Sequence, residues 1–381
     1  MASPAVVHLW KAIYVERSKK MAHNLIRPVV LFALLIGFAR ICLADQITIV
    51  DQRDRKVTLD GEAERVVTIP IPAASMFISV DGGTERLVGM HQLSKTAIKG
   101  RILQRFYPDA MSIPSNITGK GFSFVPNVEE LLALEPDLVF QWGHLNDDII
   151  DPLVNAGLNV ALIKIGPEKF TRKWLNIMGS VTGKPDKAKA MIKWRDEVMA
   201  ELKSATAGIA DDQKPRTLYF MNYLSKLRVA GGPSYNNFYI NLAGGKNPAR
   251  ELGMFTEVGI EQIIAWDPEV ILLNGFEAKL SPDDVYNNAL LADVSAVKNR
   301  RVYKMPLGGY RWDPPNQESP LTWLWLSMIL HPDKFQWDMN GRIKSNYQFM
   351  YGQEVSADDV RNILRFDMNA DAANYDVFSE G

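Results

Sequence analysis

The stretch FVPNVEELLALEPDLVF, from Phe124 to Phe140, has a second copy further along the chain. FTEVGIEQIIAWDPEVILL, beginning at Phe255, repeats its pattern at a constant offset of 132 residues. The identical positions pair Glu129 with Glu261, Ala133 with Ala265 and Pro136 with Pro268. In each copy, apolar residues at helical spacing are followed by a proline and a short apolar run typical of a buried strand. The repeat predicts one helix–strand unit in each half of the protein.

The segments around both copies predict two α/β lobes. Strand-like runs such as RVVTIP and RLVGM in the first half, and RTLYF and RVYKMP in the second, alternate with helical patterns. This alternation predicts parallel sheets with right-handed crossovers. The longest helical pattern lies between the two arrays and predicts a stiff connection. We therefore expect an N-terminal lobe over 45–183, a connecting helix over 184–207, a C-terminal lobe over 208–365 and a loose tail over 366–381.

The first 44 residues have the features of a secretory signal peptide. A basic flank, an apolar run of about a dozen residues and a small residue, Ala44, follow one another in the order that such signals require. A signal that begins at Met21 has ordinary proportions, which favours Met21 as the true start. A membrane anchor would need about 20 apolar residues. A lipid on Cys42 is the other alternative, but Ile41 is bulky for the position before a lipidated cysteine. The sequence favours cleavage after Ala44 and a periplasmic location.

Charge and cysteine content exclude several classes of partner and compartment. The formal net charge of the whole chain is −1 at pH 7. Without residues 1–44, 37 basic and 43 acidic residues remain, and the net charge is about −6. No basic stripe is present, so nucleic acid is not an expected partner. Cys42 is the only cysteine, so the exported protein has no disulfide, which fits a bacterial periplasm.

Several motifs together resemble the periplasmic substrate-binding proteins of the iron-siderophore, haem and cobalamin class, which serve ABC importers. These motifs are the opening ITIVDQRDRKVTL, the repeated pair, the LAGGKN turn and the MILHPDKF ending. The resemblance covers nearly all of the chain after residue 44. It implies two Rossmann-like α/β lobes joined by a single long helix, with the ligand in the cleft between them. It also implies a monomer that delivers a small molecule to a membrane permease dimer with its ATPase.

The repeated glutamates have two possible roles. Glu129 and Glu261 each begin a helix, where the positive end of the helix dipole favours a carboxylate, so each could serve only as a capping residue. The resemblance implies a second role, in which the two glutamates project from the two lobes and pair with arginines of the permease dimer. Their equivalent placement in two lobes favours this docking role.

The segment LGGYRWDPPNQESPL, from Leu307 to Leu321, contains the first group of candidate ligand-binding residues. Its glycine and proline pairs predict a fixed loop that presents Tyr310, Arg311 and Trp312 after a strand. An arginine offers a planar fork of donors suited to a carboxylate or another oxyanion, and aromatic rings offer flat apolar walls. The alternative is a surface loop in which Arg311 pairs with Asp313.

Four further candidates follow strand ends or lie in a flexible loop. Tyr223 and Arg228 lie in FMNYLSKLRVAGG, although a packed tyrosine and a solvated arginine would give the same pattern. Lys120 lies in the glycine-rich loop ITGKGFSF before the first repeated helix. Trp142 follows the strand of that unit. Strand-end loops of open α/β sheets carry ligand sites, so we expect these residues to face the cleft.

The residue types indicate an anionic cargo and no resident metal or cofactor. His91, His144 and His331 are scattered, and no cysteine remains after residue 44. We expect a metal chelate, with a ferric siderophore as the first choice. A molybdate-type oxyanion, haem, cobalamin or a nickel chelate stays open, as does a ligand sensor built on the same fold. No nucleophile elbow or phosphate-binding glycine loop is present, so the protein is not expected to be an enzyme.

Overall fold

The computed structural model describes residues 46–379. The predicted signal peptide, including the proposed start at Met21, lies outside the described residues, as do the last two positions of the predicted tail. Residues from Ile47 onward form one compact unit. None of the helices in the described part of the chain combines the length and the apolar character needed to cross a bilayer.

The first lobe contains an antiparallel hairpin and a parallel sheet flanked by helices. Its strands are β1 (Ile47–Val50), β2 (Lys56–Leu59), β3 (Val66–Thr68), β4 (Leu87–Met90), β5 (Leu138–Trp142) and β6 (Val160–Ile163). Its helices are α1 (Ala73–Asp81), α2 (Gln92–Ile98), α3 (Ile102–Phe106), α4 (Val128–Ala133), α5 (Asp151–Asn155) and α6 (Glu168–Val181). Strands β1 and β2 form the hairpin, and the other four form a parallel sheet in the order β4–β3–β5–β6.

The second lobe follows the connecting helix α7 (Pro185–Thr206) and has a mixed sheet. Its strands are β7 (Thr217–Asn222), β8 (Arg228–Ala230), β9 (Phe255–Glu257), β10 (Val270–Leu273) and β11 (Val302–Lys304). Its helices are α8 (Tyr235–Leu242), α9 (Ile260–Trp266), α10 (Pro282–Tyr286), α11 (Ser295–Lys298), α12 (Ser319–Leu330), α13 (Met339–Tyr351) and α14 (Ala357–Ile363). The sheet order is β11–β10–β7–β8–β9, with β8 and β9 antiparallel to their neighbours. The predicted parallel pairing holds for β11, β10 and β7 but not for β8 and β9, because the few residues between β7 and β8 cannot form a crossover helix.

The connecting helix α7 lies almost where the sequence predicts it. Pro185 occupies its first turn, where a missing backbone N–H costs nothing. Its buried residues recur at helical spacing and form one stripe: Ala188, Met191, Arg195, Val198 and Leu202. This stripe packs against α6 of the first lobe and against α8 and α12 of the second. The helix is therefore held by both lobes along its length, and α12 is buried throughout.

Both repeated units adopt the predicted helix–strand structure. Helix α4 leads into β5 and α9 leads into β10, and each strand lies inside its sheet rather than at an edge. The chain leaves the two helices through non-glycine residues of positive φ, Glu135 at 45° and Asp267 at 42°, which are 132 residues apart. Positive φ is uncommon for such residues, so its recurrence is a conformational signature of the repeat.

The ends of the two helices are also capped in the same way. In the first unit the Nε of Arg65 donates to the carbonyls of Leu134 and Glu135. In the second unit the Nε of Arg216 donates to the carbonyls of Trp266 and Asp267, which lie 132 residues after Leu134 and Glu135. These arginines satisfy carbonyls that a helix end leaves without partners.

The C-terminal segment corrects a sequence-based expectation. Residues 366–379, predicted to be loose, pack on the second lobe, and Tyr375 and Phe378 are buried. The hydroxyl of Tyr375 donates to the carbonyl of Leu364 at 2.5 Å, and the hydroxyl of Tyr303 donates to the carbonyl of Ala373 at 2.7 Å. The prediction was wrong because widely spaced aromatic anchors hold this segment, and such anchors leave no helical or strand periodicity in the sequence.

Candidate functional site

A cavity of about 510 Å³ lies between the two lobes. Its walls come from the carboxyl ends of β5, β7 and β10 and from the loops that follow them, which is where open α/β sheets bind ligands. The aromatic lining residues of the first lobe are Phe122, Phe124, Trp142 and His144. Those of the second lobe are Tyr219, Tyr235, Phe255, Phe276 and Tyr310. We call this space the cleft cavity.

The first-lobe wall is centred on Trp142, the last residue of β5. Its ring lies 6.0 Å from that of Phe124 and 4.9 Å from that of His144, both in edge-to-face geometry. The preceding residue, Gln141, is buried, and its amide donates to the carbonyls of Phe124 at 3.1 Å and Ile149 at 3.0 Å. Gln141 therefore ties two loops of the wall to the sheet, which sequence reasoning did not foresee.

His91 fixes the loop that carries the other two aromatic residues of this wall. Its Nδ1 accepts from the backbone N–H of Leu93, and its Nε2 lies 3.0 Å from the carbonyl of Ser123. The imidazole ring packs 5.3 Å from the ring of Phe124. Burial lowers the pKa of His91, so the ring is neutral and serves as a structural clamp.

His144 lies in the wall itself and is also neutral. Burial, together with the nearby charges of Lys164 and Arg53, lowers the pKa of His144 to about 4. The ring is therefore uncharged at neutral pH, and it offers one N–H donor and one acceptor nitrogen rather than a positive charge. Within residues 46–379, no group of three or more histidine, cysteine, aspartate or glutamate side chains is placed to hold a metal ion.

The second-lobe wall includes the loop from Leu307 to Asn316, which the buried carboxylate of Glu318 organises. Glu318 accepts from the N–H of Gly309 at 2.9 Å, from the indole N–H of Trp312 at 2.6 Å, and from the hydroxyls of Tyr347 at 2.9 Å and Tyr351 at 2.5 Å. Burial raises the pKa of Glu318, although these donors oppose the shift. These four hydrogen bonds hold the loop in place on its core side.

The glycine pair of this loop is required by close packing. A Cβ atom on Gly308 would lie 1.9 Å from the hydroxyl oxygen of Tyr347, and one on Gly309 would lie 2.3 Å from that of Tyr351. Neither residue has a positive φ, so space alone excludes a side chain. The glycines let the loop approach Glu318.

Two buried oxygen atoms of this loop have no partner. Tyr310 is fully buried, its pKa is raised by burial, and its hydroxyl makes no hydrogen bond with any residue in 46–379. Asp313 is buried as well, and its Oδ2 accepts from the hydroxyl of Tyr219 at 2.7 Å and from the N–H of Gly275 at 3.1 Å. Its Oδ1 accepts from nothing in the same range. Tyr310 and Asp313 both line the cleft cavity, so these two unpaired atoms lie in its wall, where the surrounding protein covers them.

Arg228 is the only lysine or arginine among the described residues that line the cleft cavity. It is half-buried at the start of β8, its Nε donates to the carbonyl of Phe255 at 3.3 Å, and its guanidinium lies 5.7 Å from the ring of that residue. This one backbone contact leaves the Nη groups of Arg228 free for an anion. Arg228 therefore sets the positive charge of the site.

Arg311 holds the two lobes together instead of lining the cavity. Its Nε donates to the carbonyl of Gly275 in the second lobe at 3.0 Å, and its Nη1 donates to the carbonyl of Leu93 in the first lobe at 3.3 Å. Its guanidinium also lies 4.5 Å from the ring of Phe276. The surface pair with Asp313 that the sequence allowed is not formed, because both side chains are buried and have other partners.

The seven candidates for ligand binding thus fall into two groups. Tyr310, Arg228 and Trp142 line the cleft cavity. The other four residues do not line it: Arg311, Trp312, Tyr223 and Lys120. Trp312 is turned into the core by Glu318, Tyr223 packs in the second lobe with its hydroxyl donating to the carbonyl of Asp284, and Lys120 is exposed. Sequence reasoning did not single out Tyr219, and it considered Asp313 only as a surface partner of Arg311.

Glu129 and Glu261 lie away from the cleft cavity and have matching environments. Both side chains are exposed at the starts of α4 and α9. Within the described range, neither carboxylate forms an ion pair. The side-chain cap of α4 comes from Asn127 instead, and α9 has no side-chain cap. Both glutamates nevertheless lie in the first turn of their helices, where the helix dipole favours a carboxylate.

Comparison with known proteins identifies the family to which this chain belongs. A family model described as "Periplasmic binding protein" matches residues 105–307. The molybdate-binding protein MolA of Haemophilus influenzae is 24% identical over 88% of this chain and 99% of its own length. A cobalamin-binding protein of Halobacterium salinarum is 26% identical over 66% of this chain and 64% of its own length.

A solved structure extends the match to the whole fold. The periplasmic solute binding protein of Veillonella parvula has a TM-score of 0.76 and 30% identity, over 86% of this chain and 99% of its own. A protein that encloses a solute needs a cavity, and here the two α/β lobes form one between them. The chain therefore belongs to the periplasmic binding protein family, the solute-binding components of ABC importers.

Proposed function

We propose that the protein captures a negatively charged metal complex with an organic shell, such as a ferric siderophore, and delivers it to an importer's permease. The composition of the cleft cavity carries this proposal. Nine of its lining side chains contain aromatic rings, and one arginine supplies positive charge. Its volume of about 510 Å³ lies within the roughly 300–1,000 Å³ that is usual for pockets of small organic ligands.

The hydrogen bonds already formed around the cavity favour a chelate over a bare oxyanion. An oxyanion that leaves water needs donors on several sides. The hydroxyls of Tyr219 and Tyr235 already donate to Asp313 and Glu168. Among the described residues, the donors of the wall that keep free capacity are the hydroxyl of Tyr310, the Nη groups of Arg228 and the ring N–H groups of Trp142 and His144. An organic shell would cover the aromatic surface and would need only a few polar anchors.

The free oxygen atoms define how such a complex would be oriented. The hydroxyl of Tyr310 can donate one hydrogen bond to the cargo, and the Oδ1 of Asp313 can accept one. Arg228 would meet the anionic part of the complex. Arg311 would act indirectly by fixing the relative position of the two lobes.

A molybdate-type oxyanion is the second candidate. The observation that favours it is the match to MolA, which covers 88% of this chain and 99% of that protein. The cleft cavity would then hold the oxyanion near Arg228, with water or a small chelator filling the remaining volume.

The proposal also includes export and docking. We place the protein in the periplasm after removal of the predicted signal peptide, and we expect a monomer with lobes at about 45–183 and 208–365. Glu129 and Glu261 would each meet a basic residue on one subunit of a permease dimer. Their exposure, their lack of ion pairs and their equivalent positions in the two lobes support this assignment.

The cargo can be identified by two measurements on the full exported chain. Mass spectrometry of protein purified from the periplasm should detect a co-purified metal complex. Calorimetric titration should then compare ferric siderophores, ferric citrate, haem, cobalamin and molybdate. We expect the tightest binding from an iron chelate. Tight binding of molybdate alone would favour the second candidate, and no binding of any metal-containing ligand would refute both.

Changing Arg228 to alanine should weaken binding of an anionic complex at least tenfold, about 1.4 kcal/mol. Arg228→Lys should recover only part of the loss, because an ammonium keeps the charge but not the planar fork. Calorimetry measures both changes. Arg250→Ala is the matched control, since Arg250 is an exposed arginine of the same lobe outside the cleft cavity. Wild-type affinity of Arg228→Ala would show that the cargo is not held by charge.

The pH dependence of binding should not contain a step from His144. Because its pKa is about 4 in the folded protein, the ring gains its proton only below that pH. Between pH 5 and 8, His144→Gln should therefore leave the shape of the affinity profile unchanged. A step near pH 6.5 that disappears in this variant would contradict the expectation.

A further inference from the structure

A pair of exposed aliphatic side chains lies beside the two docking glutamates. Leu132 is 46% exposed and Ile264 is 44% exposed. Each follows its glutamate by three residues on the same short helix, which places the carboxylate and the aliphatic side chain on one face. Neither Leu132 nor Ile264 is part of the cleft cavity.

The two helices have the same burial pattern at every shared position. Val128 and Ile260 are half-buried, the next two residues of each helix are exposed, and Leu131 and Ile263 are buried. Leu132 and Ile264 then return to the surface. Single exposed aliphatic residues are ordinary, but here a buried anchor and an exposed neighbour recur in both lobes at the 132-residue offset.

Nearby residues enlarge the apolar surface on both lobes. On the first lobe, Val125 is exposed just before α4. On the second lobe, Leu290 is exposed in the turn Ala289–Leu291, which packs against α9. Each lobe therefore presents an acidic group next to an aliphatic patch. We call these two surfaces the docking patches, with Glu129, Val125 and Leu132 in the first and Glu261, Ile264 and Leu290 in the second.

The charge of the docking patches, and their occurrence in both lobes, indicate which surface features a partner must have. Neither Glu129 nor Glu261 has a neutralising cation among residues 46–379, so a complementary surface must offer a positive charge. The adjoining aliphatic side chain requires an apolar recess beside that charge. Because an exposed glutamate followed three residues later by an exposed aliphatic residue occurs at equivalent positions once in each lobe, the matching partner has two copies of the same surface, as a permease dimer does.

We propose that Leu132 and Ile264 are contact residues for the permease dimer, and that each enters an apolar recess next to the basic group that meets the glutamate. This inference rests on the proposed docking function and deepens it. Binding would combine a salt-sensitive contact from the two carboxylates with a salt-insensitive contact from the two aliphatic side chains. Burial of apolar surface is not screened by ions, whereas exposed charge pairs are.

The test measures affinity between the cargo-loaded protein and its permease–ATPase complex in nanodiscs. The double variant Leu132→Ser and Ile264→Ser should weaken binding at least tenfold at both about 0.1 M and about 0.5 M salt. The double variant Glu129→Gln and Glu261→Gln should weaken binding strongly at the lower concentration and much less at the higher one. Because all four side chains are exposed, the variants should fold normally, and unchanged cargo affinity would confirm this.

The matched control replaces Val50 and Val377, two exposed valines outside the docking patches, with serine and should bind as the wild type does. Affinity of the Leu132 and Ile264 double variant within twofold of the wild type would overturn the inference, while a loss in the glutamate variant would keep the docking proposal. Wild-type affinity in both would overturn docking at these helices and leave cargo capture intact. A wild-type dimer in sedimentation that the serine pair dissociates would assign the patches to a second copy of this chain and overturn the inference.

Discussion

Replacing Arg195 with alanine should lower the free energy of unfolding by about 3–5 kcal/mol, because it would remove the buried partner that pairs with both oxygens of the Glu168 carboxylate and, among the described residues, would leave only Arg172, at 3.7 Å, as a counter-charge. Arg195 is fully buried on the connecting helix and donates to both oxygens of Glu168, at 2.5 and 2.9 Å. Its Nη1 donates to the carbonyl of Asn316 at 2.8 Å, and the guanidinium lies 5.3 Å from the ring of Trp323. Tyr235 donates to the same carboxylate at 2.8 Å. One side chain thus joins the helix to both lobes.

Urea unfolding of three variants would separate the charge from the packing. Removing both charges together, with Arg195→Met and Glu168→Leu, should restore much of the stability that Arg195→Ala loses. Arg342→Ala removes another arginine–carboxylate pair made by this helix, with Glu201. That pair is partly exposed, so its loss should cost only about 0–1 kcal/mol. If the free energy of unfolding of Arg195→Ala lies within about 1 kcal/mol of the wild-type value, the buried pair does not stabilise the fold as proposed.

Replacing Glu318 with alanine should cost at least about 3 kcal/mol of stability and should also weaken cargo binding. Four donors lose this acceptor, and within residues 46–379 only the N–H of Gly309 keeps another, the hydroxyl of Tyr347 at 3.1 Å. A buried donor without a partner costs roughly 1–3 kcal/mol, although the losses are not additive. The affected donors are the N–H groups of Gly309 and Trp312 and the hydroxyls of Tyr347 and Tyr351. Cargo affinity should fall because the freed loop carries Tyr310 and Asp313.

Two further variants distinguish positioning from general destabilisation. Tyr351→Phe removes one donor and keeps the carboxylate, so it should change stability by only about 1 kcal/mol and leave the loop in place. Glu318→Gln keeps the volume but brings an N–H₂ group against existing donors. Its loss of stability should therefore lie between the losses of Tyr351→Phe and Glu318→Ala. Stability and affinity are measured at a temperature at which every variant is folded. If Glu318→Ala loses stability but binds cargo normally, the carboxylate does not position the site.

The repeat and the connecting helix were predictable because their signals are local. In both units, apolar residues at helical spacing end at a proline, and a short buried strand follows. The same local sequence pattern forms the same structure twice, including the positive φ at Glu135 and Asp267. The helix at Pro185–Thr206 carries its apolar stripe within one continuous segment, so no distant residue is needed to recognise it.

The directions of side chains in the loops were not predictable, because residues far away in the sequence set them. Trp312 and Tyr310 are two residues apart, yet one points to Glu318 in the core and the other lines the cleft cavity. Arg311 reaches the carbonyl of Leu93, more than two hundred residues earlier. No periodicity in this loop records these partners.

The sequence by itself determined the α/β class, the duplicated unit, the helix between the lobes and the two equivalent positions of Glu129 and Glu261. Each of these follows from a short-range pattern that the chain carries wherever it folds. Only the tertiary structure decided which polar atoms around the cleft cavity remain unpaired. Tyr219 and Tyr235 are occupied, whereas the hydroxyl of Tyr310 is free, because hydrogen-bond partners in a folded core come from distant parts of the chain.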